Sequence, residues 1–222
     1  MERPATRSLA DTPAPIVALA AFAWLAALAW VRPLMLPDEG RYVGVALEML
    51  RSGNWLVPTL DGLPFFHKPP LFYWITAVAL KLCGMNWWAA RLASLIGATA
   101  AMTGLFMFTR RWCGNTMAVL CAVVLATMPF FYCAAQFANL DMAVAGTITL
   151  TVLLAAHAVL MASSGRPHAS ALIAAYAMAA IGVLAKGLIG VVLPGMILIT
   201  WLFATRRPAL LLRLVSLPGL LL

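Results

Sequence analysis

The sequence predicts an all-α integral membrane protein whose helices form a bundle, with further short helices at one membrane surface. Three observations support this fold class: 64% of the 222 residues are hydrophobic, only 10% are charged, and the mean hydropathy is +0.96. Soluble domains average about 45–50% apolar and about 25% charged residues. The composition therefore excludes a soluble globular enzyme, and the apolar residues must be divided among membrane spans.

Six apolar stretches are each close to the roughly 20 residues that a bilayer-spanning helix needs. They comprise residues 14–31, 92–109, 116–140, 142–165, 169–185 and 187–205. A seventh stretch begins near Leu210 and stops at Leu222 in mid-span. We expect the chain to be the amino-terminal portion of a longer protein; a short terminal interfacial helix is the alternative.

Arginines mark one end of the predicted spans, and by the positive-inside rule that end is cytoplasmic. They are Arg3, Arg7, Arg110, Arg111, Arg166, Arg206 and Arg207. If the spans alternate, residues 32–91, 139–141 and 186 lie together on the external face. Membrane topology thus accounts for the net charge of +8, and we expect no nucleic-acid partner. Residues 1–13 are predicted to be a cytoplasmic tail, and residues 14–222 a membrane domain that is incomplete at its carboxyl end.

The first external loop, residues 32–91, holds four of the seven acidic residues and two predicted helices. The first helix covers about 39–52, with Asp38 as its N-cap, and its polar positions follow helical spacing. The second starts at Pro69 or Pro70 and runs to about Leu82, which is too short to span a bilayer. Aromatic residues typical of a membrane interface fill the loop. They are Trp55, Phe65, Phe66, Phe72, Tyr73, Trp74, Trp87 and Trp88.

Asp38, Arg41 and Lys68 are the leading candidates for chemistry in this loop. Nearby cations favour the ionised form of a carboxylate, and an ionised carboxylate beside a bound hydroxyl can act as a general base. Arg41 and Lys68 together would suit a phosphate group. The structural alternatives are helix capping for Asp38 and contact with lipid headgroups for Lys68.

Three further residues are weaker candidates on the same face. Asp141 precedes a span and is a second candidate carboxylate, with helix capping as its structural alternative. Lys186 lies in a polar interruption between two spans, where a chain reversal alone explains it. His67 is a candidate metal ligand, although no metal-binding spacing accompanies it.

The loop motifs resemble the dolichyl-phosphate-mannose–protein mannosyltransferase-like family of GT-C membrane glycosyltransferases, and most resemble its bacterial 4-amino-4-deoxy-L-arabinose transferase branch. The resemblance rests on the segments 37–42, 53–55 and 68–74, with Pro58 and Gly62 between them. It covers roughly residues 37–190, and it is looser after the loop.

The resemblance implies a polyprenyl-phosphate sugar as donor, and a lipid (lipid A-like) or protein acceptor, at the periplasmic face of the bacterial inner membrane. It implies Asp38 as catalytic base with inversion at the sugar carbon, Asp141 as a second acidic position, and Arg41, Tyr42, Lys68 and Lys186 near the donor phosphate. Many relatives carry a glutamate at the position of His67, linked to a bound metal, so a divalent metal ion is an open alternative. A transporter or flippase of an anionic lipid, or an inactive truncated membrane subunit, are the other function classes.

Overall fold

The computed structural model describes residues 12–214, and it confirms an all-α membrane bundle. The predicted tail falls almost wholly in residues 1–11, and much of the predicted seventh span falls in 215–222; both segments lie outside the described residues. The helices are α1 (Ala14–Ala26), α2 (Asp38–Ser52), α3 (Leu71–Cys83), α4 (Trp87–Ala90), α5 (Leu92–Cys113), α6 (Asn115–Thr127), α7 (Pro129–Ala135), α8 (Leu140–Ser163), α9 (Ala169–Lys186) and α10 (Ile189–Ala204). A two-residue hairpin pairs β1 (Thr59–Leu60) with β2 (Leu63–Pro64).

Three helices are long and apolar enough to cross a membrane, and together with the helices around them they make the chain an integral membrane protein. They are α5, α8 and α9, of 22, 24 and 18 residues. Helices α6 and α7 form a fourth candidate span, bent by 68°. Helices α1 and α10 have 13 and 16 residues, so they are shorter than the spans that the sequence predicts at these positions.

The sequence predicts one span over residues 116–140, and the structure divides this stretch into α6 and α7 because Pro129 interrupts the helix. Proline has no N–H to donate, and it forces the preceding residue into an extended conformation. Met128 adopts that conformation, with φ −68° and ψ 114°. The indole nitrogen of Trp24 in α1 donates to the carbonyl oxygen of Ala126 at 3.0 Å, which satisfies one acceptor that the break exposes.

Helix α1 ends at Ala26, and a proline also shapes the turns that follow it. The carbonyl oxygen of Ala29 would accept a helical hydrogen bond from residue 33, but Pro33 has no N–H. The guanidinium of Arg91 donates to that oxygen instead, at 2.5 Å. The end of the first apolar stretch is therefore an irregular turn held by a distant arginine, and not a last helical turn.

The chain after α10 differs from the predicted start of a seventh span. Residues Pro208–Leu214 form a 3-10 helix that follows Arg206, whose φ is +57°. The Tyr176 hydroxyl in α9 donates to the Leu214 carbonyl oxygen at 2.8 Å. This short helix is thereby tied back against the bundle.

Helices α5 and α8 form the centre of the bundle, and two glycines allow their backbones to touch. A Cβ atom on Gly97 would clash with the Met142 carbonyl oxygen, and one on Gly146 would clash with Gly97 itself. Small residues at such crossings are typical of membrane helix pairs. The contact fixes the start of α8, where Asp141 lies, against the start of α5.

Helices α2 and α3 pack together over one end of this bundle, as the sequence predicts for the loop. Their buried face includes Val45, Met49, Phe72 and Ala77, all with little or no exposed surface. The prediction that Asp38 caps α2 is wrong: Asp38 is the first helical residue, and its side chain makes no capping hydrogen bond. That carboxylate is therefore available for other contacts.

Candidate active site

A buried ion pair between Glu39 and Arg91 lies at the junction of the loop and the bundle. The exposed fraction of both side chains is 0%. Arg91 Nε donates to Glu39 Oε1 at 3.0 Å, and Arg91 Nη2 donates to Glu39 Oε2 at 3.3 Å. The Arg91 guanidinium also donates to the carbonyl oxygens of Ala29, Arg32 and Pro33. A buried charge needs such complete pairing, because water cannot solvate it.

Glu39 contacts two further parts of the chain through the same carboxylate. Its Oε1 accepts from the backbone N–H of Ala138 at 2.7 Å, and its Oε2 accepts from the N–H of Met35 at 2.8 Å. The Arg32 guanidinium also pairs with Oε2. One carboxylate therefore joins the end of the first apolar stretch, the start of α2, the start of α5 and the α7–α8 connection.

The ionisation of Glu39 reflects two opposing effects. Burial raises the pKa of the Glu39 carboxyl, whereas hydrogen bonds from Arg91, Arg32, Ala138 and Met35 lower it. The hydrogen bonds outweigh burial, so the pKa lies below the usual value for glutamate. Glu39 is therefore an ionised scaffold residue at neutral pH, and its oxygens are occupied by protein donors.

Asp38, one residue earlier, has the opposite environment. Its side chain is 54% exposed, and its Oδ1 accepts from Arg41 Nη2 at 2.5 Å. The Arg41 guanidinium lies 5.2 Å from the centre of the Tyr42 ring. The expected association of Asp38 with Arg41 is present, and it leaves the second carboxylate oxygen without a partner among residues 12–214.

Asp141 and Lys186 form a second exposed ion pair, between the first turn of α8 and the last residue of α9. Asn139 is the N-cap of α8: its side-chain oxygen accepts from the Asp141 N–H at 3.1 Å. Its amide nitrogen donates to Asp141 Oδ2, also at 3.1 Å. The capping role considered for Asp141 therefore belongs to Asn139, and the Asp141 carboxylate is held between Asn139 and Lys186.

The two exposed pairs lie at the same end of the bundle. Asp38 adjoins Glu39, and Asp141 is three residues from Ala138, to which Glu39 is hydrogen-bonded. Even a fully extended chain advances only about 3.3–3.6 Å per residue, so these pairs cannot be a bilayer thickness apart. The expected convergence of residues 38 and 141 is thus met.

Lys68 lies at the amino-terminal end of α3, directly before Pro69 and Pro70. Tyr42 packs edge-on against Phe72 at 6.1 Å between ring centres, so this end of α3 adjoins the start of α2. Within residues 12–214, Lys68 forms no ion pair with a carboxylate. The sequence predicts that Asp38 lies near both Arg41 and Lys68, and of these two cations Arg41 forms an ion pair with it.

His67 stacks on Phe65, with the ring centres 4.4 Å apart. Across the described residues, no group of three or more His, Cys, Asp or Glu side chains gathers at one place. The side chains around His67 do not fit a metal site by themselves, and we derive no chemical step through a metal.

Three polar atoms of α2 and α3 are buried without a hydrogen-bond partner in the described part of the chain: Arg41 Nε, the Tyr73 hydroxyl and the Thr76 hydroxyl. Sequence reasoning missed Tyr73, and it also missed the Glu39–Arg91 pair. One signal could have identified the pair: Glu39 follows the candidate base directly, and Arg91 is the one charged residue between Lys81 and the apolar stretch 92–109.

Comparison with known proteins supports the resemblance. The sequence profile of the dolichyl-phosphate-mannose-protein mannosyltransferase family matches residues 67–222. An undecaprenyl phosphate-alpha-4-amino-4-deoxy-L-arabinose arabinosyl transferase of Erwinia tasmaniensis is 38% identical over 112 residues, which are 50% of this chain and 20% of the relative. The protein of the same name from Pseudomonas savastanoi pv. phaseolicola is 33% identical over 109 residues, 49% of this chain and 20% of the relative.

Two solved structures share the fold, both of ArnT from Cupriavidus metallidurans. The apo state has a TM-score of 0.82 and the state bound to undecaprenyl phosphate 0.83, each at 30% identity. Each comparison covers 93% of this chain and 38% of the ArnT chain. The matched segments make up about a fifth of the curated relatives' length. Profile, relatives and fold agree, and the chain belongs to the dolichyl-phosphate-mannose-protein mannosyltransferase family.

Proposed function

We propose that this chain forms the donor-binding and catalytic part of a membrane glycosyltransferase that uses a polyprenyl-phosphate sugar. The names of the matched relatives and the undecaprenyl phosphate bound to ArnT support this donor class. The observation that carries the proposal is the exposed Asp38–Arg41 pair, held at the end of the bundle by buried Glu39. It offers a carboxylate and a cation together where a lipid phosphate would meet the membrane surface.

In the proposed reaction, the isoprenoid tail stays in the bilayer and the phosphate lies beside Arg41 and Lys68. A hydroxyl or phosphate oxygen of the acceptor attacks the anomeric carbon while Asp38 takes up the proton of an attacking hydroxyl. The bond from that carbon to the phosphate oxygen breaks, and the bonding electrons leave with the polyprenyl phosphate. Arg41 and Lys68 stabilise the charge that develops there, and attack from the opposite side inverts the sugar carbon.

Asp141 and Lys186 form the second part of the proposed site. Their pairing sets the first turn of α8 against the end of α9, at the same end of the bundle as Asp38. Lys186 adds a third positive charge for the donor phosphate, and Asp141 is placed to orient the acceptor. Such positioning of reactants contributes to rate by making the encounter effectively intramolecular.

The proposed acceptor is a lipid, and a lipid A-like molecule is the first one to test, because the matched relatives are named for aminoarabinose transfer. The proposed location is the bacterial inner membrane, with the site on the periplasmic side. Arg110 and Arg111 support this orientation, since they lie in the last turn of α5, whereas Arg91 at its start belongs to the site end. By the positive-inside rule the arginine-rich end is cytoplasmic.

The transporter alternative receives little support from the spans. Transporters place ionisable groups near the bilayer midplane, often where helices are broken. In the described spans, Asp141 and Lys186 lie in terminal turns, and His157 accepts a hydrogen bond from the Trp112 indole at 3.0 Å. Asp38 also lies at a helix end, which favours surface chemistry over passage.

The test is transfer by the full-length protein in membranes supplied with undecaprenyl-phosphate aminoarabinose and lipid A. Asp38→Asn is expected to lower transfer by about 10²–10⁴-fold, the typical contribution of a general base. The amount of the Asp38→Asn variant in the membrane and its unfolding temperature should match those of the wild type, because the Asp38 side chain is exposed.

The matched control is Asp61→Asn, the same chemical change in the turn of the β1–β2 hairpin. Asp61 has φ +54°, a conformation that asparagine also adopts readily. Asp61→Asn should transfer at the wild-type rate. Wild-type transfer by Asp38→Asn would remove Asp38 from the mechanism, and no transfer by the wild type with any lipid-linked sugar would reject the function.

A further inference from the structure

The hydroxyl of Tyr73 is a fully buried polar group that no group among residues 12–214 satisfies. The Tyr73 side chain has 0% exposure, and its hydroxyl has no hydrogen-bond partner in the described part of the chain. More than about 90% of buried polar groups in native proteins have such a partner. An exception of this kind needs an explanation, because an unsatisfied buried donor destabilises the fold.

A second unsatisfied donor lies close to Tyr73. Arg41 Nε is buried without a partner, although Nη2 of the same guanidinium is bonded to Asp38. The Tyr42 ring connects the two residues: it lies 5.2 Å from the Arg41 guanidinium carbon and 6.5 Å, between ring centres, from Tyr73. Two unsatisfied donors from neighbouring helices, α2 and α3, therefore lie around the Tyr42 ring.

The charge around Tyr73 selects the kind of group that can satisfy it. Burial raises the pKa of the Tyr73 phenol, Tyr42 raises it further, and the Arg41 charge opposes both. The net pKa is higher than usual, so the hydroxyl keeps its proton at physiological pH. A ligand for a neutral O–H donor and a cationic N–H donor must supply an acceptor oxygen, and the Arg41 charge favours an anionic oxygen.

We propose that the Tyr73 hydroxyl and Arg41 Nε together donate to a phosphate oxygen of the lipid-linked donor, so that Tyr73 is a headgroup-binding residue. This inference rests on the proposed function and adds a residue to it. Arg41 would then contact two groups at once: its Nη2 donates to Asp38, and its Nε donates to the phosphate.

The Arg41 charge distinguishes this site from the unsatisfied hydroxyls of α5. Thr76, three residues after Tyr73 in α3, also has a buried hydroxyl oxygen without a partner in the described residues, and so do Thr99 and Thr103 in α5. The last two line a groove of about 440 Å³. The rest of that groove is formed by aliphatic, aromatic and glycine residues such as Phe22 and Leu150. Thr99 is therefore a matched control, because its hydroxyl is also unsatisfied and the described residues that line its groove include no cation.

The experiment measures lipid binding by the full-length protein in nanodiscs of neutral lipid. The probes are undecaprenyl phosphate and undecaprenol, which differ only in the phosphate, and the readout is the ratio of their dissociation constants. Tyr73→Phe removes only the hydroxyl. It should lower the preference for the phosphate about tenfold, the usual effect of losing a hydrogen bond to a charged group. Thr99→Val should keep the wild-type preference.

Thermal unfolding without lipid supplies the second readout. Because the hydroxyl has no hydrogen-bond partner among the residues that the structure describes, Tyr73→Phe should unfold at the wild-type temperature or above it. An unchanged preference would overturn the inference, whether or not the unfolding temperature falls. Failure of Tyr73→Phe to fold would overturn it too, since the hydroxyl would then serve the fold. Equal loss in Thr99→Val would show that the effect is not specific to the headgroup.

The same measurement separates this inference from the function on which it rests. A wild type that shows no preference for undecaprenyl phosphate would reject the donor class, and the role of Tyr73 with it. A wild type that prefers the phosphate, together with an unaffected Tyr73→Phe, would reject the role of Tyr73 alone.

Discussion

Asp38 and Glu39 are consecutive carboxylates with opposite environments. The Asp38 side chain is 54% exposed and pairs with a single cation, whereas the Glu39 side chain is fully buried and accepts hydrogen bonds from four partners. Successive residues in an α-helix point about 100° apart, so the first turn of α2 directs one carboxylate outward and the other into the protein. Asp38 is therefore available for chemistry because its neighbour Glu39 fixes the backbone of the same turn.

The exposed and buried pairs also differ in what they join. The Asp38–Arg41 pair lies within one turn of α2, so it holds no distant segments together. The Glu39–Arg91 pair joins positions 52 residues apart, and Ala138 extends the same network by another 47 residues along the chain. Breaking each pair should therefore have different consequences for stability and for activity.

The largest expected effect on stability is that of Glu39→Ala. This substitution leaves Arg91 buried without its counter-ion and should lower the free energy of unfolding by about 3–5 kcal/mol. Thermal unfolding of the purified protein in detergent measures the loss. Asp38→Ala is the matched control, and it should cost no more than about 1 kcal/mol, because an exposed ion pair contributes little. Equal losses in the two variants would remove the distinction between scaffold and reactive carboxylate.

The second prediction concerns pH. The pKa of Glu39 is lower in the folded protein than the value of about 4.3 for an unfolded chain. Its contribution to stability is therefore fully present above about pH 5, and it is lost as the pH falls through the folded pKa. Glu39→Gln cannot titrate at this position, so the stability difference between wild type and variant should shrink as the pH falls below about 5.

Unfolding temperatures of both proteins across that range provide the measurement, and the difference between them cancels the titration of the other carboxylates. A difference that stays constant with pH would mean that Glu39 has no lowered pKa in the folded state. The pairing with Arg91 would then not be the source of its stabilising effect.

Most of the fold follows from local sequence signals. Apolar stretches predict the three long helices α5, α8 and α9, and the Pro-bounded segments of residues 32–91 predict α2 and α3. The errors arise where one residue changes the backbone. Pro129 divides one predicted span into α6 and α7, and Pro33 leaves the Ala29 carbonyl to be satisfied by Arg91. A hydropathy profile averages over such residues, so it shows an uninterrupted span.

The site was predictable to the extent that it consists of exposed polar residues in a conspicuous motif. Residues 38, 41, 141 and 186 were expected on one face, and the structure places them at one end of the bundle. Glu39 and Arg91 are 52 residues apart in the sequence. Hydrophobic periodicity relates only neighbouring positions, so it does not predict this buried pair. The unsatisfied Tyr73 hydroxyl is likewise visible only when its surroundings are known, because the residues 72–74 read as an ordinary aromatic cluster.

The smallest expected effect tests whether the Asp141–Lys186 pair belongs with the exposed or the buried class. The Asp141 side chain is 59% exposed and that of Lys186 29%, so Lys186 is the more buried partner of this exposed pair. A double-mutant cycle with Asp141→Asn and Lys186→Met should give a coupling energy of at most about 1 kcal/mol, as for surface ion pairs.

A coupling well above that value would place Lys186 in the scaffold with Arg91, and a loss of transfer in Lys186→Met would then follow from misplacement of α9. A small coupling together with reduced transfer is the expected outcome. It would assign Lys186 to the same class as Arg41: a cation left at the surface, where a ligand phosphate can still reach it.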